Sequence, residues 1–290
     1  MMTILELLNW STHYLRDHQI ENPRLNAELL LARSLNLNRE GLYSHLQDPS
    51  GEEETEKFKR LIWKRLSGEP LQYILGDQEF WSIHFKVDPR VLIPRPETEL
   101  LVEQSLSILA AACLKRTPYV LEIGTGSGAV AISLATEVRD AFVVATDVSG
   151  EALLLARENA KSAGVLHRIE FVNGDLFSPI RLMPEQEPFD LILSNPPYID
   201  RSQIQNLARE IKDYEPAVAL NGGEDGMAFY RSIVSQGPSY LRRGGWLLLE
   251  VGEGQGKRVS TMIDDEGSFS RSERIKDLSG IDRVVKAQKK

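Results

Sequence analysis

Val120-Leu121-Glu122-Ile123-Gly124-Thr125-Gly126-Ser127-Gly128-Ala129 is the stretch on which the fold turns. A short apolar run, interrupted only by Glu122, leads into alternating glycines and then into a helix-forming segment. Glycine has no Cβ, so the backbone can turn sharply here and approach a ligand closely. The helix that follows offers free N–H groups at its first turn. The spacing Gly124-x-Gly126-x-x-Ala129 also fits the dinucleotide fingerprint, so by itself the turn points to a nucleotide-type ligand without choosing one.

Outward from that turn the chain alternates. Strands are predicted at Tyr119–Ile123, 141–146, 168–172, 191–194 and 246–251, with helices at 128–136, Gly150–Ser162 and 226–241. Short apolar strands separated by helices predict an α/β fold, with a mostly parallel sheet covered on both faces. The tail, 274–286, carries short runs on either side of Ser279-Gly280 and reads as a terminal antiparallel hairpin.

Upstream the period changes. Phe58, Leu61, Ile62 and Leu66 recur at helical spacing and make one apolar face. Glu52, Glu53, Glu54 and Glu56 crowd the start of that segment, where the helix dipole favours acids. Ile4, Leu7, Leu8 and Leu15 mark an earlier helix, and Leu25, Leu29 and Leu30 another. Residues 1–76 are therefore expected to form a small N-terminal helical bundle, serving substrate recognition or simply stability. Phe80, Ile83, Phe85 and Val87 alternate in part, and Pro89 and Pro94 punctuate the chain, so 77–96 reads as a β-hairpin linker and 97–290 as the catalytic domain.

Composition narrows the partners. The 34 basic and 42 acidic residues give a formal net charge of −8, which argues against a nucleic acid backbone as the direct partner. The only cysteine, Cys113, excludes an intrachain disulfide, suits a reducing compartment and reads as a buried small hydrophobe. No stretch approaches the roughly 20 apolar residues of a membrane span. The first residues lack the basic and apolar regions of a leader, so a cytoplasmic, unprocessed chain is expected. No metal-ligand spacing is evident, and no metal is expected.

Three further features surround the glycine turn. Glu122 stands where a carboxylate can hold a cofactor amino group. Asp147 ends the next strand, at the spacing where an acid takes ribose hydroxyls; the plainer reading is a helix N-cap, a role open to Asp147 or Ser149. Asn173-Gly174-Asp175-Leu176-Phe177 follows the third strand. There Asp175 can accept from an adenine amino group, and Leu176 or Phe177 can pack on the ring.

Ser194-Asn195-Pro196-Pro197-Tyr198-Ile199 is the sharpest motif. The prolines stop the strand and fix φ. Asn195 adds a side-chain carbonyl to their backbone carbonyls, a stiff set of acceptors suited to a planar NH₂ group. Methylating an amide or aromatic amine requires this, because the nitrogen lone pair is conjugated and must be aimed at the methyl. If Asn195 Oδ1 and the Pro196 carbonyl each accept one N–H, both bonds strengthen as positive charge develops on nitrogen. Tyr198 would wall the pocket.

With these residues in place, the chain resembles the class I S-adenosylmethionine-dependent methyltransferases, which have a Rossmann-like fold. It is more specifically similar to the HemK/PrmC family of peptide-chain release factor N5-glutamine methyltransferases. The resemblance runs over essentially the whole chain: the helical N-terminal region, Pro70-Leu71-Gln72-Tyr73-Ile74-Leu75-Gly76, Phe80-Trp81, Ile93-Pro94-Arg95-Pro96-Glu97-Thr98-Glu99, the glycine turn, Asp147, Asn195–Tyr198 in the chemical motif, and Ala219-Leu220-Asn221-Gly222-Gly223-Glu224-Asp225-Gly226. It implies that Gly124, Thr125, Gly126, Ser127, Gly128, Asp147, Asp175 and Leu176 line the S-adenosylmethionine site, with Asn195 at its edge. It implies that Asn195, Pro196, Pro197 and Tyr198 hold the glutamine of the Gly-Gly-Gln motif in a class I release factor, leaving S-adenosylhomocysteine as the product. Leu176 departs from the tryptophan of some relatives and would replace ring stacking with an aliphatic contact. Asn-Pro-Pro-Tyr is shared with methyltransferases acting on an exocyclic amine of DNA or RNA, which remains the alternative.

Overall fold

The computed structural model describes residues 2–112, 116–182 and 187–290. Cys113 lies outside them. By contacts the chain divides into one unit of Met1–Asp77 with Ala208–Tyr214, and a second of Gln78–Leu207 with Glu215–Lys290.

The first unit is helical: α1 (Ile4–Asp17), α2 (Pro23–Leu35), α3 (Arg39–Ser44), α4 (Glu52–Leu66) and α5 (Leu71–Leu75). Thr3 and Glu6 form a capping box at the start of α1, satisfying backbone donors at both positions. Leu7, Leu8, Leu15, Leu30, Leu31, Phe58 and Ile62 close a compact apolar core. Glu28, almost wholly buried, accepts from Arg24, Arg39 and Tyr43, so its charge is paired as a buried carboxylate requires. The segment 208–214 joins this unit through the Arg65–Glu210 ion pair at 2.8 Å.

At the start of the second unit β1 (Asp77–Phe80, its first residue grouped with the first unit) and β2 (Ile83–Lys86) make a two-stranded sheet. Trp81 and Ser82 between them both have positive φ, 52° and 56°, the backbone a two-residue hairpin turn demands. Then come α6 (Glu99–Ala111), β3 (Tyr119–Ile123), α7 (Ala129–Glu137), β4 (Phe142–Asp147), α8 (Gly150–Ser162), β5 (Ile169–Asn173), β6 (Phe189–Ser194), α9 (Arg209–Lys212, in the segment grouped with the first unit), α10 (Ala217–Leu220), α11 (Ala228–Gln236), β7 (Leu241–Glu250), α12 (Gly256–Glu266), β8 (Glu273–Lys276) and β9 (Asp282–Gln288). The large sheet runs β5-β4-β3-β6-β7-β9-β8. Its first five strands are parallel, and β9 pairs antiparallel with both β7 and β8.

Alternate residues of each strand feed two apolar layers. Val120, Val143 and Leu191 meet α6, α7 and α8 on one face. Leu121, Val144 and Ile192 meet α11 and α12 on the other. Both faces are covered by helices, which is why these strands read as nearly continuous apolar runs.

The helix predicted at 226–241 needs correction. It stops at Gln236, a 3-10 turn occupies Gly237–Ser239, and Leu241 already begins β7. Pro238 has no N–H to donate and ends the helix. The strand β7 therefore starts five residues earlier than the apolar run at Trp246 suggests.

Candidate functional site

From β3 the chain winds outward through β4 and β5, then returns to place β6 on the other side of β3. The crevice at such a reversal, at the carboxyl ends of the strands, is where open α/β sheets bind ligands. Ile123 and Ser194, the last residues of β3 and β6, are paired in register, and Ser194 Oγ donates to the Ile123 carbonyl at 2.7 Å. The glycine turn and the Asn195 motif thus emerge side by side, although they are far apart in sequence.

They line one cleft of about 1050 Å³ of empty space, open mouth included. Gly124, Thr125, Gly126, Ser127, Asp147, Asp175, Leu176, Asn195, Pro196 and Pro197 are all on its wall, joined by Glu122, Arg95, Thr98, Val218 and Phe229. Gly128 and Tyr198 are not. Gly128 is the residue before α7, with φ +83°, and a Cβ there would meet Ile132 Cδ1 at 2.8 Å. It serves close packing of the helix on its neighbours.

Gly124 and Gly126 have φ of +76° and +56°, and no atom lies within 4 Å of where their Cβ would be. Their backbone faces open space. Asp147 fastens the turn: Oδ2 accepts from Gly126 N and Oδ1 from Ser149 N, each at 2.9 Å. Burial raises the Asp147 pKa, and these backbone donors pull it back. The N-cap of α8 is Ser149, whose hydroxyl accepts from Ala152 N. Asp147 is therefore not the cap.

Glu122 is buried beneath the turn, accepting from Thr125 Oγ1 at 2.6 Å and Ala131 N at 3.1 Å. Burial, with Asp147's charge adding to it, pushes the carboxyl up to about 8 against those two donors. Leu176 faces the cleft with φ +49°, the left-handed region that a branched side chain rarely adopts. Phe177, the other candidate for ring packing, is fully buried and stacks on Tyr240 at 4.6 Å between centroids, so it is core and not cleft.

Asn195 donates through Nδ2 to Thr98 Oγ1 at 3.1 Å. That leaves its carbonyl oxygen as the group free to accept. Thr98, the residue before α6, makes no side-chain cap on that helix; its hydroxyl oxygen accepts from Asn195 instead. Tyr198 anchors the motif from behind. Gln255 Nε2 donates to its carbonyl at 2.9 Å, and a Cβ on Gly222 would meet its Cα at 2.7 Å. Burial pushes the Tyr198 phenol up to about 12, the nearby Glu250 charge adding to it. Arg95 pairs with the buried Glu215, tying together the segments that carry Thr98 and Val218 at the cleft. Glu250, which closes the apolar strand β7, was not singled out from the sequence, because its place beside Asn195 is set by the β6–β7 register.

Among the described residues no cluster of His, Cys, Asp or Glu is arranged to hold a metal, and no helix is long and apolar enough to cross a membrane.

A mostly parallel sheet with an antiparallel edge pair and a glycine turn at the switch point define the class I S-adenosylmethionine-dependent methyltransferase fold, and Asn195-Pro196-Pro197-Tyr198 emerges beside that turn. Residues 120–214 match the methyltransferase domain model. The solved structure of a methyltransferase from Pyrococcus furiosus covers 81% of this chain and 98% of its own, at 18% identity and TM-score 0.51. The hMettl16 catalytic domain, solved with MAT2A 3′UTR hairpin 6, covers 77% of this chain and 81% of its own, at 14% identity and TM-score 0.56. Residues 6–76 match the PrmC N-terminal domain model. The release factor glutamine methyltransferase of Geobacter sulfurreducens is 43% identical, over 98% of this chain and 95% of its own; that of Chlorobaculum tepidum is 41% identical, over 97% and 95%. The chain belongs to the release factor glutamine methyltransferase family.

Proposed function

We propose that this enzyme transfers the methyl group of S-adenosylmethionine to the side-chain amide nitrogen (N5) of the glutamine in the Gly-Gly-Gln motif of class I release factors, in support of translation termination. The observation that carries the site assignment is the juxtaposition of the open glycine turn with Asn195, Pro196 and Pro197 on one cleft wall.

The residues fit the methyl donor. The backbone at Gly124 and Gly126 has the clearance a close ligand needs. Each oxygen of Asp147 keeps acceptor capacity beyond its one backbone bond, suited to a pair of ribose hydroxyls. Leu176 offers an apolar face and Asp175 an acceptor for the adenine. When bound, S-adenosylmethionine supplies an electrophilic methyl on its sulfonium.

The chain's own part is to aim the glutamine nitrogen. Asn195 Oδ1 and the Pro196 carbonyl each accept one N–H of the amide, which fixes the plane of the group and the direction of its lone pair. Both acceptors face the positive charge that appears on nitrogen during transfer, so they bind the transition state more strongly than the substrate. Pro197 keeps the backbone rigid, and Tyr198 holds the motif against the loop at Gly222. The methylated nitrogen is acidic and loses its extra proton without a dedicated strong base. Residues 1–76 are assigned to recognition of the release factor body.

Methyl-labelled S-adenosylmethionine offered to the enzyme with a release factor, an RNA and a DNA in parallel tests this reading. Label on the factor alone supports it. Label on an exocyclic amine of nucleic acid, with none on the factor, would replace the substrate while leaving the fold unchanged.

A further inference from the structure

Glu250 ends β7 inside the sheet and is only 3% exposed. The register that pairs Ser194 with Leu249 sets the next residues, Asn195 and Glu250, beside each other at the carboxyl ends of β6 and β7. One carboxyl oxygen, Oε2, is buried with no hydrogen-bond partner of its own. A buried acid with an unsatisfied oxygen carries a desolvation cost that calls for an explanation. Thr98 and Asn195 are the neighbouring side chains that favour its ionised form.

We propose that Glu250 is a positioning residue for methyl transfer, acting through Thr98 on Asn195. Its carboxylate accepts from the Thr98 hydroxyl. The Thr98 oxygen is then committed to accepting the Asn195 Nδ2 N–H, the 3.1 Å bond seen here, and the Asn195 carbonyl is left aimed into the cleft. This rests on the assignment of Asn195 as the acceptor of the glutamine amide.

The relay has a direction. A protonated Glu250 would donate toward Thr98 and compete with Asn195 for the same oxygen. Only the ionised acid holds all three groups in the working order, and its charge strengthens each bond as positive charge grows on the substrate nitrogen. The groups facing Glu250 decide when that form is present. Burial pushes it up to about 7; Thr98, Arg283 and Asn195 lower it, and Glu97 raises it. Tyr198 and Tyr230 are held neutral by burial, and the Tyr230 hydroxyl donates to the Glu250 backbone carbonyl at 3.0 Å. Turnover should therefore rise with pH through about 7.

The test compares wild type, Glu250→Gln, Thr98→Val and the double variant, with release factor and S-adenosylmethionine as substrates, across about pH 6 to 9. Each single variant should lose roughly 10–100-fold in kcat, the scale seen when the hydrogen-bond partner that orients a metal ligand is removed, with KM for S-adenosylmethionine unchanged. Glu250→Gln should lose the acid limb. The double variant should be no worse than the worse single one, since both break one relay, and Thr98→Ser should restore most of what Thr98→Val loses. Thr98→Val probes the relay without touching the buried acid, so a Glu250 variant that fails to fold leaves the test intact. A Glu250→Gln enzyme with wild-type kcat and an unchanged acid limb overturns the proposal, as do losses that multiply in the double variant. A wild type that methylates no release factor would instead sink the substrate reading, and this inference with it.

Discussion

Replacing Asn195 by alanine removes the acceptor on which the proposed chemistry depends. The side chain is half-buried at the end of β6, and its amide nitrogen is already spent on Thr98 at 3.1 Å. The substitution therefore deletes one oxygen facing the cleft and one internal hydrogen bond, and leaves the sheet register intact. Loss of a preorganised group that strengthens only in the transition state costs about 2.7–4 kcal/mol, or roughly 10²–10³ in kcat. Asn195→Asp should not rescue the rate. It keeps an acceptor oxygen but loses the N–H given to Thr98, and it places a second acid beside Glu250, where the two carboxyls compete for one proton. The assay is turnover of release factor at saturating S-adenosylmethionine, with calorimetric binding of S-adenosylhomocysteine to show that the cleft is intact. A kcat within about threefold of wild type, or a loss confined to KM, would refute a role specific to the transition state.

Asp147→Ala removes a carboxylate that both fastens the glycine turn and offers spare acceptors; cofactor affinity by calorimetry should fall roughly 10–100-fold, the worth of one charged hydrogen bond, and an unchanged affinity would leave Asp147 as a turn-fastening residue only. Glu122 has a folded-state pKa raised from 4.5 to about 8, so the folded state binds a proton the unfolded chain has released, and stability must fall as pH rises through that window. Thermal melts should show Glu122→Gln losing less stability than wild type between these limits, and parallel curves would contradict the assignment. Gly222→Ala would drive a methyl to 2.7 Å from Tyr198 Cα and 2.8 Å from its carbonyl carbon, where backbone cannot yield cheaply. A loss of about 1–3 kcal/mol, seen as a lower melting temperature together with lower turnover, is expected, and a variant that melts and turns over like wild type would show that the loop can move away.

Much of the fold was legible because its signals are local. The glycine turn, the apolar run before it and the acid ending β4 are each readable within a few residues, and β3 and α8 fall where the sequence places them. Helix α6 is not so readable. It is apolar on several sides, with Leu101, Val102, Ile108 and Leu109 buried, so no period stands out, and no side chain caps its start. Helix α12 follows Gly252-Glu253-Gly254-Gln255, a stretch that reads as loop. At the site, the strands brought the glycine turn and Asn195 together as an α/β switch point requires. The hydrogen bond from Asn195 to Thr98 was invisible, because the two residues meet only through tertiary structure. The choice between Leu176 and Phe177 was open in the sequence for a related reason: adjacent residues leaving a strand point opposite ways, and the structure shows that Leu176 faces the cleft while Phe177 is buried.

The central claim is that this cleft presents a glutamine side-chain amide to the methyl donor. Peptide-mapping mass spectrometry of an unmodified class I release factor, incubated with the enzyme and S-adenosylmethionine, tests it most directly. One added methyl on the glutamine of the Gly-Gly-Gln motif, absent with Asn195→Ala, is the predicted result. A methyl on any other residue, or none on the factor while nucleic acid is modified, would contradict the account.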